Sequence, residues 1–180
     1  MLFGNKSTMF LKFIKDFRLK KIIKNTLTNY KAPVSGGRVV TVGILIDETY
    51  FADREALMAE VTAQGLAIDK VTALSFIDKV KKGQEPAHAY FTYNDVAADG
   101  TFTAPAASSF LQQPFDVLIS FYDVQKPPLT LATLQSKAAF KAGFSTTDSR
   151  LHTFMVASQA ENYKEFVAEL FKYLKILQKL

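Results

Sequence analysis

Cysteine is absent from the 180-residue chain, which excludes disulfides, thiolate metal sites and cysteine nucleophiles and agrees with a reducing compartment. Long apolar runs are missing too: no stretch approaches the roughly 18 consecutive apolar residues that span a bilayer. No secretory leader is expected from the first residues, because an uncharged run there, Ser7–Leu11, falls short of an apolar segment of about 7–15 residues. Leu2 stands where myristoylation needs glycine. Cytoplasm is the expected compartment, with attachment at the inner membrane surface as a variant.

Catalytic signatures are also missing. The chain contains no G-x-x-x-x-G-K-[ST], no G-x-G-x-x-G, no G-x-S-x-G and no D-x-D-x-T. Only two histidines occur, His88 and His152. Each falls at the edge of a predicted strand without the spacing of a metal pair or a triad. No cofactor, metal or catalytic residue is expected, and whether the chain catalyses a reaction stays open.

Acidic residues are scarce in one place. Residues 1–31 hold eight basic side chains against the single Asp16, a net of +7, so residues 32–180 carry −2 of the chain's +5. The basicity therefore sits on an N-terminal arm, and the body is nearly neutral. A segregated positive arm meets phosphate or carboxylate on nucleic acid, lipid or protein. Lys12, Lys15, Arg18, Lys20, Lys21 and Lys24 are its candidate contacts.

Lys6 to Tyr30 holds neither proline nor glycine and reads as helix. Phe10, Phe13, Ile14 and Phe17 share one side of it; Leu19, Ile22, Ile23 and Leu27 share nearly the opposite one. The jump predicts a break, a kink or a helix covered by different surfaces at its two ends. Three roles stay open: docking on the body or a twin subunit, lying on an anionic membrane, or binding RNA.

The body, residues 32–180, reads as a single α/β domain. A turn at Ala32–Gly37 leads into a strand at Arg38–Ile46, and a helix follows over residues 48–64 before Gly65. Strands are predicted at Val71–Phe76, His88–Tyr93 and Val117–Tyr122. The short gap before His88 predicts a very short helix or an antiparallel pair. Asn94–Pro114 reads as an irregular loop with an Asp99-Gly100 turn and a helical turn near Ser108–Gln112. A helix at Leu129–Lys137 follows Pro127-Pro128. Ala139–Phe144 and Leu151–Val156 read as a hairpin, and an amphipathic helix spans Ala160–Leu177. The expected architecture is three-layered and Rossmann-like. It has a mostly parallel twisted sheet of 5–6 strands, helices on both faces, one antiparallel pair and the basic helical arm.

One acidic constellation stands out. Asp47 and Asp123 follow predicted strands, and parallel strands gather such residues at the edge where open α/β sheets bind ligands. Together with Lys137 or Lys141 they would hold a phosphorylated small molecule through a divalent cation. Strand-end aspartates also cap following helices, and that is the simpler role.

Phe110–Ile119, FLQQPFDVLI, and Leu131–Phe144, LATLQSKAAFKAGF, resemble an uncharacterised bacterial family of small α/β proteins. The resemblance implies a bacterial cytosolic protein with an accessory role and supplies no activity or cofactor. The leading expectation is a non-enzymatic interaction module whose arm contacts an acidic protein, RNA or a membrane surface. The alternatives are an enzyme or sensor for a phosphorylated ligand, and a homodimer formed through the arm.

Overall fold

The computed structural model describes residues 4–34, 37–66, 70–80, 83 and 85–180, with side chains in the first helix from Phe10 onward. Ser35 and Gly36 of the expected turn, and the Lys6 side chain, lie outside the described residues. Helix α1, Gly4–Asn29, is followed by β1, Val42–Asp47; α2, Arg54–Thr62; β2, Val71–Phe76; and β3, Tyr90–Phe91. Then come α3, Pro105–Gln112; β4, Val117–Phe121; α4, Pro127–Gln135; β5, Lys141–Phe144; β6, Phe154–Val156; and α5, Tyr163–Ile176.

The six strands form one sheet in the order β3-β2-β1-β4-β5-β6, and every neighbouring pair is parallel. This is the strand order of doubly wound dinucleotide-binding folds. The expected antiparallel pair is absent from the sheet. β5 and β6 are not a hairpin: Ala142 pairs with Phe154 in parallel register, and a 3₁₀ turn at Ser149–Leu151 carries the chain back. β2 likewise reaches β3 in parallel register. Among the described residues, antiparallel geometry survives only in isolated bridges, Val34 with Phe140 and Val96 with Phe102. The second closes the Asp99-Gly100 turn, so the predicted irregular loop is shorter than expected, and α3 is a full two turns.

β1 and β4 are buried at every position, as β-branched strands covered on both faces must be. Alternate side chains serve separate cores. Ile44, Ile46, Ile119 and Phe121 pack with Leu57 of α2 and with Phe166, Leu170 and Leu174 of α5. Leu45, Leu118 and Tyr122 pack with Phe110 of α3, with Leu129 and Ala132 of α4, and with Leu19, Ile23 and Leu27 of α1. The edge strands have only two and three residues, which leaves little ladder for another chain to extend.

α1 runs unbroken through the predicted jump in its apolar stripe. Leu19, Ile23 and Leu27, spaced four apart, are buried in the second core, whereas Phe10, Leu11, Phe13 and Phe17 are exposed. Its two stripes therefore meet different surroundings.

Candidate functional site

In a sheet of this order the ligand crevice opens where the connections diverge, at the carboxyl ends of β1 and β4. Asp47 ends β1 there and is 3% exposed. The Lys126 ammonium spans its carboxylate, 3.1 Å from Oδ1 and 2.8 Å from Oδ2. It also lies 3.7 Å from Asp78 and over the rings of Tyr50 and Phe76. Asp47 Oδ1 accepts the Thr49 backbone N–H as well. Next to it, Glu48 accepts the Ser75 hydroxyl and lies 3.0 Å from His88 Nε2 and 3.7 Å from Arg54. Asp123 turns to the other face of the sheet, where Oδ2 accepts the Ala160 N–H ahead of α5.

The two aspartates thus sit on neighbouring strands but serve opposite layers, each already engaged. Lys137 and Lys141 lie at the other end of the sheet. Lys137 follows the C-terminus of α4, and Lys141 opens β5 opposite Leu118. No group of three or more His, Asp or Glu suited to a metal ion occurs among the described residues.

Among the described residues, neither the loop after β1 nor the start of α4 offers the usual means of holding phosphate. The loop after β1, residues 48–53, is acidic and contains no glycine, so it offers no nest of backbone N–H groups. Helix α4 begins with Pro127-Pro128, and two prolines remove donors that a helix N-terminus would aim at an anion.

α1 provides the other surface. Tyr93, the first residue of a 3₁₀ turn closed by a capping box between Thr92 and Asp95, holds the first half of α1. Its hydroxyl donates to Asp16 Oδ1 at 2.8 Å, and the Lys15 ammonium donates to its carbonyl at 2.7 Å. Lys12 and Lys15 both lie over its ring. Burial, with the Asp16 hydrogen bond, pushes the Tyr93 phenol up, and burial lowers Lys15 against the attraction of Asp16 and Asp95. Two of the six candidate cations are therefore engaged with the body. Arg18, Lys20, Lys21 and Lys24 are exposed and form no ion pair among the described residues.

Lys20 and Lys24 also edge a pocket of 290 Å³ between α1, the start of α4 and the β5–β6 connection, where Arg150 lies opposite them. Arg150 is held bidentately by Asp148, at 2.9 and 2.6 Å, so the two lysines carry the pocket's unbalanced charge. Lys126, Arg150 and Tyr93 were not anticipated. The signals present were a lysine just before Pro-Pro and the polar turn Asp148-Ser149-Arg150, neither of which names a spatial partner.

The molecule is thus a doubly wound α/β protein whose crevice is closed by ion pairs and whose first helix presents an uncovered aromatic and basic face. The model of a family of unknown function, DUF6913, matches residues 15–177, and the chain belongs to that family. No curated protein and no solved structure matches. No helix among the described residues is long and apolar enough to cross a membrane.

Proposed function

We propose that this protein is a non-enzymatic binding module that recognises an acidic partner through the outer face of α1. One observation carries the reading: α1 is anchored by Leu19, Ile23 and Leu27, yet Phe10, Phe13 and Phe17 are left 64%, 70% and 65% exposed, beside four exposed cations that form no ion pair among the described residues. A helix serving only the core would turn its phenylalanines inward. Exposed large apolar side chains grouped on one face mark an interaction surface. The charge imbalance of the arm sets the sign of the partner.

The reading of Asp47 and Asp123 as a shared ligand site has less support, since each carboxylate already has its own protein partners. Immobilised heparin, a generic polyanion, tests the arm. The full chain is expected to elute at raised salt. The triple variant Lys20→Gln/Lys21→Gln/Lys24→Gln is expected to elute near the void with an unchanged melting temperature. Equal retention of the two proteins would refute the reading.

A further inference from the structure

Resting on that reading, we propose that the acidic partner is an anionic phospholipid bilayer, on which α1 lies with its phenylalanines in the acyl boundary and its lysines among the headgroups. Phe10, Phe13 and Phe17 follow helical spacing, and Lys20, Lys21 and Lys24 continue along the same side of the helix. At ~1.5 Å per residue the aromatic and basic groups are centred about 12 Å apart along the axis. A helix tilted with its N-terminal end down places the two groups at different depths. The rings then reach the ~5–10 Å that interfacial helices occupy, and the lysine stems extend back to the phosphates.

The chemistry separates this partner from others. A second copy would bring two arms of net +7 together, which mutual repulsion opposes. Three phenylalanines exposed to this degree offer roughly 400 Å² of apolar surface, about half of what one partner contributes to a standard protein interface. A bilayer has no such threshold, because every inserted side chain adds on its own. RNA-binding aromatics stack bases on a sheet or along a groove, whereas these rings project from a convex helix. Residues 32–180 carry −2, so an anionic surface attracts the arm and turns the body away. The cytoplasmic leaflet, which is anionic, is the membrane face that fits.

The test is co-sedimentation of the full chain with vesicles of phosphatidylcholine alone and of phosphatidylcholine mixed with phosphatidylglycerol. Binding to the mixed vesicles is expected to be at least about tenfold tighter than to the neutral ones and to weaken with salt. Phe10→Ser/Phe13→Ser/Phe17→Ser and the triple lysine variant are each expected to lose about tenfold or more. A Phe13→Trp variant is expected to show blue-shifted emission on the mixed vesicles. All these side chains are exposed, so circular dichroism melts are expected to match the parent; the single Phe13→Ser serves as a milder variant.

Vesicle binding that is absent, or that survives loss of the phenylalanines, overturns the proposal. If heparin retention still depends on the lysines in that case, the acidic-partner reading stands and only the lipid assignment falls. If heparin is ignored as well, both fall. A parent that sediments as a dimer while the phenylalanine variant sediments as a monomer, or RNA binding indifferent to the phenylalanines with no vesicle binding, also overturns the lipid assignment.

Discussion

Lys141, on the first residue of β5, reaches across the second core to Tyr30, just beyond the end of α1, its ammonium donating to the phenol oxygen at 2.9 Å. It also donates to the carbonyls of Thr133 and Leu134, at 2.6 and 3.4 Å. These belong to the last turn of α4, where carbonyls have no helical partner. Although the residue is 1% exposed, each of its three protons has an acceptor. One buried lysine therefore caps α4 and ties the end of α1 to the sheet.

Replacing Lys141 by Met is expected to leave those carbonyls unpaired and to cost about 1–3 kcal/mol, read by urea unfolding. Burial lowers the Lys141 ammonium from its ordinary value to about 8. Between that pH and 10.5 the unfolded chain binds the proton and the folded one does not. This group therefore makes the parent more stable as pH rises through the window, by on the order of 3 kcal/mol as an upper bound. Burial pushes Tyr30 up to about 12, which opposes the gain above pH 10. The rise between pH 8 and 10 is expected to vanish in Lys141→Met, and an unchanged profile would refute the assignment.

His152 packs its ring on Gly143 of β5, where a Cβ would lie 2.5 Å from ring atoms. Gly143→Ala is expected to cost about 1–3 kcal/mol through overpacking. Much of that cost should disappear in a His152→Ala background, as a double-mutant cycle would show. Burial, aided by Lys141 and opposed by Asp148, lowers the imidazole to about 4. As pH falls from 6.5 towards 4 the unfolded histidine takes a proton that the folded one refuses, so stability present above 6.5 is lost across that window. His152→Ala is expected to flatten this part of the acid profile.

Lys126→Met would strand the buried Asp47 carboxylate. A loss of about 3–5 kcal/mol is expected in chemical denaturation. Adding Asp47→Asn should recover part of it, since the uncompensated charge is then gone. A Lys126 variant as stable as the parent would show that the crevice is not closed by this pair.

The two halves of α1 should respond differently. Ile23→Ala opens a cavity in the second core and is expected to cost about 2–4 kcal/mol. Phe13→Ala removes an exposed ring and should stay within about 0.5 kcal/mol of the parent. Equal losses in thermal melts would mean that Phe13 is covered.

The predicted strand near Val71 and the helix ending near Leu177 were legible because burial periodicity is a local property of the chain. β4 was legible for the same reason, its continuous apolar run needing cover on both faces. Direction was not. Ala139–Phe144 and Leu151–Val156 read as a hairpin because so few residues separate them, and a single 3₁₀ turn at Ser149–Leu151 accomplished the parallel return instead. At the candidate site the lysines of α1 could be named beforehand. The commitment of Lys12 and Lys15 to Tyr93 could not, since Tyr93 lies far along the chain.

The amino-acid order alone determined the α/β class, the segregated charge of the arm and the two opposed stripes of α1, because each depends on residues a few positions apart. The tertiary structure alone decided which stripe is buried, that Asp47 and Asp123 serve opposite layers, and that Lys126 fills the crevice. Those outcomes depend on strand order and on which surfaces meet, and such contacts join residues whose separation leaves no trace in local pattern.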